Sequence, residues 1–303
     1  MLDTTTLSDL TDDETLSGSP ELQVRNPSDR DLQRAEGACR IVAGGSGNGT
    51  RIMDVYQKSP TRVLFPRTAG AAVEEAVLIN TAGGIAGGDQ LEFSVTALDN
   101  ASIAVTSQAA EKIYRALDEP ARIKTTLKAS NAAKLAWLPQ ETIVFNHARF
   151  IRETEIDLSA SAEILALEWL VLGRAAHGET MRGGQITDGW RVKKDGRLVW
   201  ADSFRVTDDI FPHLFRKALL SDFSVVATLL YFGPNLEERL QLVREVIQSL
   251  ECQCAATLVG GLIVTRFVAR ASCNLKVALR DFLQQFSREL GPGPFRVPKM
   301  WLC

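Results

Sequence analysis

The chain has 303 residues, 45% of them hydrophobic and 23% charged, with a formal net charge of -3. That hydrophobic fraction allows a sizeable globular core, and the slight acidity argues against a general nucleic-acid binder, which presents a basic face. No apolar run approaches the ~18 residues a membrane helix needs, and no basic leader precedes an apolar block, so a cytoplasmic protein is expected.

Residues 1–35 are rich in Ser, Thr, Asp and Glu without a sustained apolar period, which predicts a disordered acidic leader ahead of a single β-rich domain over 36–303. From about Cys39 to Val206 the signals are those of short strands, at 52–56, 62–65, 77–79, 91–97, 102–106, 123–127, 134–137, 143–145, 151–158 and 164–172. Many short strands between Gly, Pro, Asn and Ser turns imply sheets stacked or wrapped on one another.

Residues 80–89 read Asn-Thr-Ala-Gly-Gly-Ile-Ala-Gly-Gly-Asp. A phosphate loop would close on Lys followed by Ser or Thr, but Gly88 is followed by Asp89 and Gln90; a dinucleotide fingerprint would open a helix, but Leu91, Phe93, Val95 and Ala97 alternate as in a strand. Gly83, Gly84, Gly87 and Gly88 therefore read as a tight structural turn between strands, with a surface that a partner packs against as the other reading, and Asp89, rather than the glycines, is the residue there to substitute first.

Further on, Asp195-Gly196 between apolar segments predicts a hairpin, strands are expected at 225–231 and 257–268, and the latter folds at Gly260-Gly261. Leu236, Leu240, Val243, Ile247 and Leu250 mark an amphipathic helix, with Asn235 and Glu238 at capping-box spacing. Leu275, Leu279, Phe282, Phe286 and Leu290 mark a second, stopped by Gly291-Pro292.

Catalytic signatures are lacking. There is no Gly-x-Ser-x-Gly elbow and no His-Glu-x-x-His helix, and His147, His177 and His213 have no sequence partner. Cys252-Gln253-Cys254 could turn two thiolates toward one soft ion, but two ligands do not close a site, and buried or incidental thiols are the competing reading. The odd, scattered set of five cysteines suits reduced thiols. Glu168 stands alone in the apolar run 164–172, so it must be paired, neutralised or face water. An ion pair with Arg174 or Lys112 is one reading, and the polar lining of a channel or interface is the other; Glu111, Lys112 and Arg115 pose the same choice.

Five segments together resemble one family: residues 80–89, Gln108-Ala-Ala-Glu-Lys-Ile-Tyr-Arg115, Trp137-Leu-Pro-Gln-Glu-Thr-Ile-Val-Phe145, Glu168 with Leu172-Gly-Arg174 and Gly178-Glu179, and Pro298-Lys-Met-Trp301. In this order they resemble the UreD family of urease accessory proteins, also called UreH. The resemblance implies a mainly β fold of stacked, β-helix-like sheets with two C-terminal α-helices, and no enzymatic activity. It implies a chaperone for metallocentre assembly: a scaffold that binds urease apoprotein and recruits UreF and the GTPase UreG for nickel insertion, without nucleic acid, membrane or tightly bound cofactor. It also implies an internal tunnel that nickel crosses in transit. A conduit must hold its ion weakly and at several points, so Glu168, Asp89, Glu141 and Glu179 are the expected tunnel-lining carboxylates, with Arg174 a partner for one of them. The C-terminal helices are the expected UreF-facing region. A nickel metallochaperone with its own tight site is the alternative, and a nucleotide-dependent enzyme using the glycine segment a more distant one. The long leader and Lys299, where arginine is more usual, depart from the family pattern.

Overall fold

The computed structural model describes residues 34–47, 49–66, 73–174 and 177–302. All but the last two residues of the expected leader, and Cys303, lie outside them. Two sheets carry the architecture. The first has seven strands in the order β14 (Arg197–Val206), β13 (Gln185–Lys194), β11 (Arg149–Leu158), β8 (Ala121–Ala129), β5 (Gln90–Ala97), β1 (Glu36–Ser46) and β2 (Gly49–Lys58). The second has ten, in the order β16 (Gln253–Val259), β17 (Leu262–Ala269), β15 (Val225–Phe232), β12 (Glu163–Leu172), β9 (Lys134–Leu138), β6 (Ser102–Gln108), β4 (Glu74–Asn80) and β3 (Thr61–Leu64), with β10 (Thr142–Val144) beside β12 and β7 (Glu111–Ile113) beside β10.

From β4 to β13 the chain deals its main strands alternately to the two sheets, and each new strand pairs in parallel with the last one laid in that sheet. That is the winding of a flattened parallel β-helix, as expected. Antiparallel strands take over at both ends of the winding, β2 and β14 in one sheet and β3, β15, β17 and β16 in the other.

The pleat decides which residues meet. In β8, Ala121, Ile123, Thr125, Leu127 and Ala129 are buried, while Arg122, Lys124 and Lys128 face water. On the water side of the first sheet Glu153 sits opposite Lys124, Asp157 opposite Lys128 and Glu155 opposite Arg191, so unlike charges alternate across strands. β12 is buried at all ten positions because both of its faces are covered. One face meets the first sheet; on the other, Leu165, Leu167 and Trp169 join Leu229, Tyr231 and Phe267 under the helices α1 (Leu236–Gln248) and α2 (Ser272–Leu290). Phe267 and Phe282 pack edge to face at 5.8 Å.

Both expected hairpin turns form, with positive φ at Asp195 and Gly196 and at Gly260 and Gly261. The expected capping box does not. Asn235 occupies the cap position in the left-handed region, with φ 55° and ψ 44°, and its side chain makes no capping hydrogen bond; the cap needs extended backbone to aim that side chain at the first turn. Two strands escaped the sequence reading: β1, whose glycines thin its apolar alternation, and β7, which has three residues.

Candidate functional site

Between the sheets lie two apolar clusters. In one, Val95, Leu127, Ile156 and Val192 of the first sheet pack with Leu78, Val105, Leu135 and Ala166 of the second. In the other, Leu91, Ile123, Phe150 and Ile186 pack with Val144, Leu170 and Leu172. Polar residues interrupt the interior between them. Arg152 on β11 shares the inward parity of Phe150 and Ile156, Asp188 on β13 that of Ile186 and Val192, and Glu168 on β12 that of Ala166 and Leu170. Arg152 stands directly opposite Asp188 in the first sheet, and Glu168 reaches it from the second.

The Arg152 guanidinium grips Asp188 with two hydrogen bonds, Nε to Oδ1 at 2.8 Å and Nη2 to Oδ2 at 2.7 Å. Its Nη1 donates to Glu168 Oε2 at 2.7 Å and to Thr142 Oγ1 at 3.1 Å. The other Glu168 oxygen accepts from Trp137 Nε1 at 2.8 Å. All three charged groups are buried. Burial opposes the charge on Arg152, but the Asp188 and Glu168 charges and the hydrogen bonds to Asp188 outweigh it and hold the guanidinium proton more firmly than usual. Burial pushes the Glu168 carboxyl above its ordinary range; Arg152 and the Trp137 N–H pull against that and Asp188 adds to it. One positive group thus answers two carboxylates, which leaves the cluster one negative charge in excess when both are ionised.

A cavity of about 40 Å³ adjoins this cluster. Arg152, Glu168, Thr142, Trp137, Thr125 and Gln140 line it on one side, and Asn80, Ser107 and Glu111 extend the polar lining toward β4 and β7. Asn80 Nδ2 donates to Glu111 Oε2 at 3.0 Å, and burial raises the Glu111 pKa against that bond. Thr125 Oγ1 and Gln140 Oε1 are buried with no hydrogen-bond partner; Gln140 is held through its Nε2, which donates to Met300 O at 3.1 Å, while Trp301 Nε1 donates to Leu138 O at 3.1 Å. The lining offers oxygen ligands only. A divalent cation fits such a set, and the absence of imidazole and thiolate from it favours weak holding.

Of the four carboxylates expected to line a tunnel, Glu168 is at this cavity. Asp89 is buried with its oxygens engaged by backbone N–H groups, Ala35 on Oδ1 and Ala86 on Oδ2, both at 2.8 Å, so it ties the glycine turn together. Glu141 lies next to the lining residues Gln140 and Thr142 and has one oxygen buried without a partner. Glu179 pairs with Arg174 at 3.1 Å, which holds its carboxyl below the ordinary range. The ion pair considered for Glu168 is made by Arg152, with neither Arg174 nor Lys112. Glu111 joins Glu168 as a second lining carboxylate.

The glycine segment divides its labour. Gly83 and Gly88 adopt positive φ, at 77° and 87°. Gly84 and Gly87 give close approach: a Cβ on Gly84 would lie 2.5 Å from the Tyr114 ring, and one on Gly87 2.5 Å from Glu119 O. Cys254 Sγ leans on Ile247 O and Cys252 O; hydrogen bonding with Cys252, aided by burial, pushes the Cys254 thiol up, while the same hydrogen bond draws Cys252 down against its burial. Among the described residues no group of three or more His, Cys, Asp and Glu side chains is gathered as a metal cage. No described helix is long and apolar enough to cross a membrane.

The chain as a whole is similar to known proteins. The family model described as UreD urease accessory protein matches residues 35–302. The chain is 39% identical over 269 residues to the urease accessory protein UreD of Xanthobacter autotrophicus, covering 89% of this chain and 90% of that protein. It is 38% identical to the UreD of Rhizobium leguminosarum bv. trifolii, covering 89% of this chain and 96% of that one, and 38% identical to that of a Methylobacterium species, covering 84% and 92%.

Proposed function

Because the chain belongs to the UreD family of urease accessory proteins and serves urease maturation, we propose that it is a non-enzymatic scaffold through whose interior nickel passes on its way to the urease active site. One observation carries this reading. Asn80, Glu111, Trp137, Gln140 and Glu168 come from four of the five segments that mark the family, and all of them line one polar cavity between the apolar clusters. Nickel is the cargo, and UreF, UreG and urease apoprotein are the partners this role requires, in the cytoplasm. Glu168 and Glu111 supply oxygen contacts along the path, with the Gln140 carbonyl and the Thr125 hydroxyl free to accept an aquated ion's hydrogen bonds. The helices α1 and α2, packed outside the second sheet, are the proposed UreF-facing surface.

The test is Glu168→Ala or Glu168→Leu, co-expressed with urease and the remaining accessory proteins. Urease activation falls severalfold or more while the variant still co-purifies with UreF. Full activation by the variants would refute the path through Glu168. Tight nickel binding by the isolated wild-type protein, at micromolar affinity or better, would favour the metallochaperone reading instead.

A further inference from the structure

We infer that Arg152 is the residue that keeps this cavity a place of passage, by holding with its own charge the position in which Glu168 and Asp188 would otherwise retain a divalent cation. The inference rests on the conduit reading above and adds to it the reason the ion does not stay.

Glu168 and Asp188 approach one point from opposite sheets, and the guanidinium fills that point, with its Nη1 and Nη2 each 2.7 Å from a carboxylate oxygen. Thr142 Oγ1 lies at 3.1 Å from Nη1. Take the guanidinium away and two carboxylates and a hydroxyl face a common space enclosed by protein, a set of oxygen donors that a divalent cation can engage directly or through a retained water. Two negative charges with no buried cation between them would bind such an ion far more firmly than a pair already answered by arginine. With arginine in place, an entering cation meets a fixed positive charge and a net charge of only -1, enough to admit it and too little to hold it.

A guanidinium suits this task better than an ammonium. It stays charged, and its planar fork spans both carboxylates at once, so neither can turn away to serve an ion alone. Asp188 takes the bidentate edge and Glu168 the remaining Nη1, which leaves Glu168 the more lightly held of the two and the one that lines the cavity. Arg152 is therefore a positioning residue: it sets how Glu168 meets the cargo and is not itself a ligand for it.

A purely structural clasp between the sheets would also use such an arginine, so the deciding readout is one that loss of a clasp does not raise. Equilibrium dialysis of the full chain against nickel chloride compares wild type, Arg152→Gln, and the double variant Arg152→Gln with Glu168→Gln. Nickel binding by Arg152→Gln is expected to be at least about tenfold tighter than by wild type, returning toward wild type in the double variant, while urease activation by Arg152→Gln falls. A folded Arg152→Gln that binds nickel no more tightly than wild type overturns the inference. Should that variant not fold, Arg152→Lys decides: an ammonium answers one carboxylate at a time, so affinity rises by about threefold or more, and unchanged affinity overturns the inference equally. The conduit reading fails separately, if Glu168→Leu supports full activation whatever Arg152→Gln does.

Discussion

Two stretches of the same inter-sheet space, one register step apart, are built on opposite terms. Val95, Leu127 and Ile156 stand side by side on β5, β8 and β11 and pack against the second sheet as ordinary core. One step along the same strands the row is Phe93, Thr125 and Thr154, and a step further it is Leu91, Ile123, Arg152 and Asp188. The apolar row contributes stability in proportion to the area it removes from water. The polar rows bury two charges, Arg152 and Asp188, against a third, Glu168 of the second sheet, which mutual pairing scarcely repays, and they leave the Thr125 and Thr154 hydroxyl oxygens without partners. A fold selected for stability alone would have filled those positions with valine and leucine, so the polar rows point to a use beyond folding.

The contrast can be broken or sharpened by substitution. Leu127→Ala, in the apolar row, should cost about 2–5 kcal/mol of unfolding free energy in denaturant titration, because the site is fully enclosed and a cavity remains. A cost under 1 kcal/mol would mean that this row is not the tight core described here. Gly87→Ala, in the turn between β4 and β5, should cost about 1–3 kcal/mol through the clash with Glu119 O and Ala116 Cβ. Thr154→Val, in the polar part, should act in the other direction. Removing a buried hydroxyl that has no partner, with no change of shape, should raise stability by up to about 1 kcal/mol, and a loss of similar size would show that the hydroxyl is satisfied after all.

Much of this was legible in the sequence where local rules govern. The two helices, the hairpins at Asp195-Gly196 and Gly260-Gly261, and most strands follow from periodicity and turn chemistry. Glu168 was visible because it is a lone charge in a run too apolar to expose it. Arg152 was hidden because 151–158 reads as a half-polar strand, in which an arginine beside Glu153 looks solvated. The signal was in the parity. Phe150, Ile156 and Leu158 are buried, so Arg152 and Thr154, an even number of residues away, must point inward with them, and the same count on 186–192 turns Asp188 inward beside Trp190. That Arg152, Asp188 and Glu168 meet is a property of the winding, which no single strand encodes. What Asp89 does in its turn was hidden, because its hold on the Ala35 and Ala86 N–H groups exists only once the loop is folded.

The most direct test replaces the polar cluster with apolar side chains of similar volume, Arg152→Met, Glu168→Leu and Asp188→Leu together. Removing a buried charged triad as a whole is neutral or stabilising by about 1–4 kcal/mol in comparable cases, so the variant should melt at or above the wild-type temperature and remain soluble. The measurement is the nickel content of urease purified after co-expression with this variant in place of the wild-type chain. Urease that is largely free of nickel, made alongside a fully folded variant, is the predicted result. Urease loaded to the wild-type level would contradict the claim that nickel passes through this cluster.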